Sequence, residues 1–201
     1  MTDWVFGIVD RLGAIGVGLL ILLENLIPPI PSEVILPLAG FRSRTGSLNA
    51  LLVWPAATAG SLLGALILYA LGRGLGTDRL RRLADKPWFI LTSRRDLERG
   101  EEIFDRHGGK MVLLGRCVPF VRSVISIPAG VARMSLIRFC LLTTAGSAVW
   151  NAIFISLGWL LGQNWPRVQG VLGPISTAVL VLIGLALVVP ITRKIRNRAA
   201  T

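Results

Sequence analysis

Three stretches of this 201-residue chain carry no charged side chain at all: residues 48–72, 139–162 and 168–192. Each is about 25 residues long, enough to cross a hydrocarbon layer of roughly 30 Å as a helix. Composition agrees, with 53% hydrophobic and only 16% charged residues, where a soluble domain carries about a quarter charged. The chain therefore reads as an all-α polytopic membrane protein. A net charge of +11 would point to nucleic acid in a soluble chain. Here the basic residues fall between and after the apolar blocks, as cytoplasmic loops do under the positive-inside rule, and no nucleic-acid partner is expected. Cys117 and Cys140 have apolar neighbours and no CxxC spacing, so they read as small buried hydrophobes. The N-terminal "MTDWVF" lacks a basic region, and no cleavable signal peptide is expected.

The chain also repeats itself. "TAGSLLGALILYALGRGLG" at 58–76 aligns without gaps to "TAGSAVWNAIFISLGWLLG" at 144–162, with nine of 19 positions identical. Upstream, "VILPLAG" at 34–40 resembles "VISIPAG" at 124–130, and "VDRLG" at 9–13 resembles "FDRHG" at 104–108. In both copies a proline-containing break, Pro28, Pro29 and Pro31 or Pro119, lies between these markers. Two repeats are expected, about 3–76 and 98–162, followed by an extra C-terminal transmembrane helix at about 171–192. A broken segment that enters and leaves on one side makes no net crossing. Each copy, a re-entrant helical hairpin plus one full helix, then crosses once, and the second copy is inverted relative to the first. Inverted repeats with discontinuous helices are a transporter architecture, with the substrate site at the interruptions.

Loop charges orient the chain. Residues 73–110 hold ten Lys or Arg and the tail adds Arg193, Lys194, Arg196 and Arg198, which places the insert at 77–107 and the C-terminus in the cytoplasm. Arg42 and Arg44 disagree, since they would face outward. The insert, about 77–97, reads as amphipathic, leading into a helix with Ser93 as N-cap and Gly108–Gly109 as its stop. His107, the only histidine, reads as a surface residue near a helix end. Trp54, Trp159 and Trp165 suit interfaces, Trp150 and Asn151 suit packing or cavity lining, and Gly60, Gly64, Gly72 and Gly76 suit close helix packing.

Four charges interrupt otherwise apolar sequence. Glu24 and Glu33 lie in "LLILLENLIPPIPSEVILPLAG", residues 19–40, and Arg116 and Arg122 lie in "MVLLGRCVPFVRSVISIPAG", residues 111–130. One charge at the bilayer centre costs about 2.5–3.5 kcal/mol on insertion scales, so all four need partners or water. Hairpins that meet at the midplane would set acid against base, and their irregular backbone is tolerated at depth only where it lines protein or a cavity. Two arginines offer always-charged planar forks suited to phosphate. A glutamate beside them is pulled toward neutrality by desolvation and toward ionisation by the guanidinium, a balance suited to loading and releasing a proton.

"LENLIPPIPSE", "FDRHGGKMVLLGRCVPFVRSVISIPAG", "ARMSLIRF" and "GSAVWN" together resemble the DedA family, also called the SNARE-associated or VTT-domain family, over about residues 5–162. The resemblance implies opposed re-entrant hairpins that move lipids between leaflets. It implies, for bacterial members, return of undecaprenyl phosphate across the inner (cytoplasmic) membrane in dependence on the proton motive force. Eukaryotic relatives resemble phospholipid scramblases. The family's essential acid falls on Glu24, its second acid on Glu33, here in place of the more usual aspartate, and its essential arginines on Arg116 and Arg122. The expected function is thus a lipid flippase with Arg116 and Arg122 on the substrate phosphate and Glu24 and Glu33 gating or coupling protons. No catalytic residue, metal or cofactor is expected, and the reading leaves room for a homo-oligomer. The alternatives are a general phospholipid scramblase and a non-transporting scaffold. An enzyme is disfavoured because Ser32 and Ser123 lack a neighbouring base.

Overall fold

The computed structural model describes residues 3–27, 32–84, 94–119 and 121–161. The expected C-terminal helix at 171–192, the Ser93 cap and the breaks at Pro28, Pro29 and Pro31 lie outside them. The described residues form seven helices with no strand: α1 Asp3–Leu26, α2 Ser32–Arg44, α3 Ala50–Ala84, α4 Arg94–Gly115, α5 Val121–Val124, α6 Ser126–Val131 and α7 Leu136–Leu161. Asn49 opens α3. Its Oδ1 accepts from the Leu51 amide at 2.9 Å and its carbonyl from Leu52 and Val53, which satisfies amides that a helix start leaves without partners. Far along α3 the chain kinks at Gly76, where φ is +63° and a Cβ would be strained. Ala50–Thr77 and Leu136–Leu161 are the two described segments long and apolar enough to cross a membrane.

Contacts fix the directions of these helices. α1 runs parallel to α3, with Gly13 near Leu48, Gly18 at Ala56 and Asn25 at Gly64. α2 doubles back, so that Arg42 Nη2 reaches Asp10 Oδ2 near the beginning of α1 at 2.8 Å. In the second half α4 runs parallel to α7, with Gly109 at Arg138 and the Leu113 carbonyl at Gly146. The long helices oppose one another. Arg44, just before α3, donates to the carbonyls of Trp159 and Leu160 at the end of α7 (3.0 and 3.4 Å), and Tyr69 Oη, late in α3, donates to the Met134 carbonyl just before α7 at 2.5 Å.

Two close crossings join the halves, α2 on α7 and α6 on α3. Both rest on glycines that the internal repeat pairs with each other, Gly40 with Gly130 and Gly72 with Gly158. Gly40 faces the Ile155 carbonyl as Gly130 faces that of Tyr69, and Gly158 faces the Pro37 carbonyl as Gly72 faces that of Ile127. Ile155 and Tyr69 are also repeat mates, as are Pro37 and Ile127. A side chain at any of the four would overlap backbone.

The described bundle has an apolar core but also exposes apolar stripes and buries polar side chains. Leu12, Ile15, Leu19, Leu23 and Ile27 form an exposed stripe on α1, and Leu63, Ile67 and Leu71 another on α3. Glu24, Asn25, Thr58, Arg116, Arg122 and Asn151 are buried. Apolar residues outside and polar ones inside are what a lipid surround requires.

Four sequence expectations change. Gly108–Gly109 does not stop a helix: α4 continues to Gly115, because the pair serves close approach, Gly109 lying under the Arg138 side chain. Gly76 is a kink with open space around it, rather than a packing position. Cys117 is exposed and Cys140 half-buried, since Cys117 falls in the turn after α4. Arg42 and Arg44 are not stray charges. One pairs with Asp10, and the other binds the carbonyl end of α7 and lies 5.3 Å from the Trp159 ring, a favourable site for a cation.

The crossings give a direct test. Gly158→Ala is expected to lower stability by about 1–3 kcal/mol through overpacking, whereas Gly74→Ala, with open space around it, should be near neutral. Equal thermal midpoints for the two variants in detergent would contradict the backbone contact at Gly158.

Candidate functional site

The breaks in the helices bring polar side chains together in the interior. The last turns of α1 supply Glu24 and Asn25, the turn after α4 supplies Arg116, and α5 and α6 supply Arg122, Ser123 and Ser126. Turn bonds from Cys117 to Leu114 and from Val118 to Gly115 end α4 just at Arg116, and Arg122 then re-enters helix with its amide on the Val118 carbonyl. Pro119, exposed in this turn, cannot continue a helical ladder.

Arg122 and Glu24 form a buried ion pair, Nη2 to Oε2, with 3% and 7% of each residue exposed. Arg116 is 1% exposed and has no carboxylate partner among the described residues. Its Nη2 donates to Ser126 Oγ at 2.7 Å and its Nη1 to Asn25 Oδ1 at 3.4 Å, while its Nε has no partner. Asn25 is the hub. Its Oδ1 also accepts from Ser123 Oγ at 3.3 Å, and its Nδ2 donates to the Ile21 carbonyl at 3.0 Å. Beneath the arginines lies one face of α7. The Phe139 ring is 6.0 Å from the Arg116 guanidinium, the Trp150 ring is 5.9 Å from that of Arg122, and Gly146 between them admits the Arg116 stem. Cation–π attraction of this kind strengthens when desolvated.

Three of the four expected charges are thus gathered together. The expectation that acids would face bases holds for one pair only. Glu33 lies half-buried in the first turn of α2 and makes no ion pair among the described residues. Neutral oxygens hold Arg116 in its place. Sequence reasoning gave no role to Asn25, Ser126 or Phe139. The spacing 139, 143, 146, 150 along one helical face was the available signal for the α7 side. No group of three His, Cys, Asp or Glu that could hold a metal occurs among the described residues.

The VTT domain matches residues 17–160, the span that contains the whole cluster. The chain belongs to this family. An undecaprenyl phosphate transporter A of Staphylococcus aureus is 35% identical over 98% of this chain and 98% of its own length. An alkaline phosphatase-like protein of Lactococcus lactis subsp. cremoris is 38% identical over 98% and 94%, and Protein DedA of Escherichia coli is 27% identical over 98% and 86%. No solved structure matches. This VTT-domain chain is a membrane protein with apolar spanning helices.

The ion pair should behave as a unit. Glu24→Gln alone, or Arg122→Gln alone, leaves a partner buried without its counter-charge and is expected to cost about 3–5 kcal/mol. The double variant should cost clearly less than the sum, as a double-mutant cycle by denaturation in bicelles would measure. Strict additivity would mean that the two groups do not interact.

Proposed function

We propose that this protein is a lipid transporter, not an enzyme, that flips a polyprenyl phosphate, undecaprenyl phosphate in particular, across the bacterial cytoplasmic membrane for reuse of the carrier. One observation carries the reading: the buried cluster sets two guanidiniums against a single paired carboxylate. The excess positive charge suits an anion, and Arg116 with its free Nε is the group that lacks a charged partner. An arriving phosphate would compete with Glu24 for Arg122, since both present oxygens to the same fork. Protonation of Glu24 would free Arg122 in the same way, which links the cycle to protons. Glu33, without an ion partner nearby, is free to serve as a second proton carrier. The relatives named undecaprenyl phosphate transporter A in Staphylococcus aureus and Bacillus subtilis support both substrate and reaction.

The architecture we infer is a pair of inverted repeats, 3–76 and 98–162, each a re-entrant hairpin with a spanning helix, followed by a spanning helix at 171–192. The opposed directions of α3 and α7 and the matched glycine contacts support it. Its basic 77–107 insert and C-terminus lie on the cytoplasmic side. A homo-oligomer is compatible with this arrangement.

Transbilayer movement of undecaprenyl phosphate in proteoliposomes tests the reading. Arg116→Ala should slow it at least about tenfold per folded molecule, the loss of roughly 1.5–3 kcal/mol of charged hydrogen bonding, with the folded fraction read from its thermal midpoint. Arg116→Lys, which keeps the charge without the fork, should fall between. Transport by folded Arg116→Ala at the wild-type rate would defeat the proposal. Release of inorganic phosphate from the lipid would replace it with the reaction that the Lactococcus relative's name describes.

A further inference from the structure

Beside the Arg116 Nε, a second donor in the buried cluster is unused. Trp150 is 8% exposed, and its indole Nε1–H has no hydrogen-bond partner. Buried tryptophans ordinarily find an acceptor for this group, and leaving a donor buried and unpaired is unfavourable. The ring is fixed in place. Its face lies 5.9 Å from the Arg122 guanidinium, and it packs at 4.6 Å, tilted, against Phe154. On the next residue Asn151 Nδ2 donates to Thr58 Oγ1 at 3.2 Å, and Thr58 Oγ1 in turn donates to the Trp54 carbonyl at 2.8 Å, while Asn151 Oδ1 is itself without a partner and is not hydrogen bonded to the indole. Apart from the Glu24 carboxylate, already occupied by Arg122, no charged acceptor is seated in this cluster among the described residues.

We propose that Trp150 is a substrate-binding residue, whose indole N–H donates to an oxygen of the phosphate when that phosphate displaces Glu24 from Arg122. The inference rests on the phosphate reading above and deepens it. An arginine fork supplies charge with little sense of which anion it holds, whereas a single fixed N–H requires an acceptor at one place. A phosphate carries oxygens in three directions around its ester bond, so two can meet the fork while a third meets the indole. A planar carboxylate engaged bidentately by Arg122 has no such third oxygen. Trp150 would thereby select a lipid phosphate over a fatty-acid carboxylate of the same chain length, and would do so with a rigid side chain that loses little freedom on binding.

The experiment uses the full chain in nanodiscs, with tryptophan indoles labelled with nitrogen-15 and the Trp150 resonance assigned from Trp150→Phe. The probes are geranyl phosphate and geranic acid. Geranyl phosphate should move the Trp150 N–H proton downfield, and Trp150→Phe should bind it about tenfold more weakly, the loss of one donor to a charged acceptor. The preference for phosphate over carboxylate should shrink by the same factor. A benzothienylalanine at position 150, which keeps the fused ring but not the N–H, should reproduce the Phe variant, and this separates a lost donor from lost packing. Wild-type binding with an unmoved Trp150 resonance, or equal affinity in the benzothienylalanine protein, overturns the role of Trp150 and leaves the arginine site standing. Absence of phosphate binding by wild type overturns both, which distinguishes failure of the broader reading from failure of this one.

Discussion

A guanidinium enclosed in an apolar slab has to be surrounded by protein oxygens, and that demand organises this fold. Arg116 and Arg122 are 1% and 3% exposed, in a bundle whose outer surface is leucine, isoleucine and valine. Water cannot relieve them cheaply there, and a bare charge at such depth is strongly disfavoured. The oxygens come from Glu24 and Asn25 at the end of α1 and from Ser126 at the start of α6. They meet where helices end inside the bundle. The interruptions after Leu26 and Gly115 are therefore the means by which side chains at helix ends point at one another.

Ending a helix in the interior of the bundle creates a second problem, because its backbone needs partners too. The glycine crossings answer it by packing. With Gly40 against the Ile155 carbonyl and Gly130 against that of Tyr69, each short helix is pressed onto a long helix of the other half, where close backbone approach replaces the lost length with contact. Arg44 on the carbonyls ending α7 and Tyr69 on the Met134 carbonyl fasten the two ends. The arginine cluster and the glycine crossings thus depend on each other: the first needs short helices, and the second makes short helices tenable.

Much of this was legible in the sequence, for identifiable reasons. Charge-free length exposes α3 and α7, and three of the four misplaced charges, Glu24, Arg116 and Arg122, expose the cluster, because hydrophobic matching leaves little freedom in either case. Which acid meets which base was not legible. Each residue along a helix turns its side chain by 100°, so Glu24 and Glu33 differ in direction by an amount that depends on a break whose geometry no periodicity encodes. Gly108–Gly109 misled because glycine marks both helix ends and close approaches, and only the neighbour, here Arg138 on another helix, tells the two apart. Asn25 escaped notice because an amide beside a carboxylate carries no signal until its partners are known.

The repeat also clarifies why the charges are divided between the halves as they are. Aligning Pro28 with Pro119 sets Asn25 opposite Arg116 and Ser32 opposite Ser123. Asn25 and Arg116 are hydrogen bonded to each other. In a two-fold arrangement, a residue on the axis meets its own equivalent. Had both copies kept arginine there, two like charges would face each other in a medium that screens them poorly. Had both kept asparagine, only the mutually paired Arg122 and Glu24 would remain charged in the cluster. With acid and amide in one copy and guanidinium in the other, the contact is complementary instead. The glycine contacts keep the pairing that the sequence repeat suggests, while the centre departs from it: Glu24 and Asn25 come from one copy, and Arg116 and Arg122 from the other.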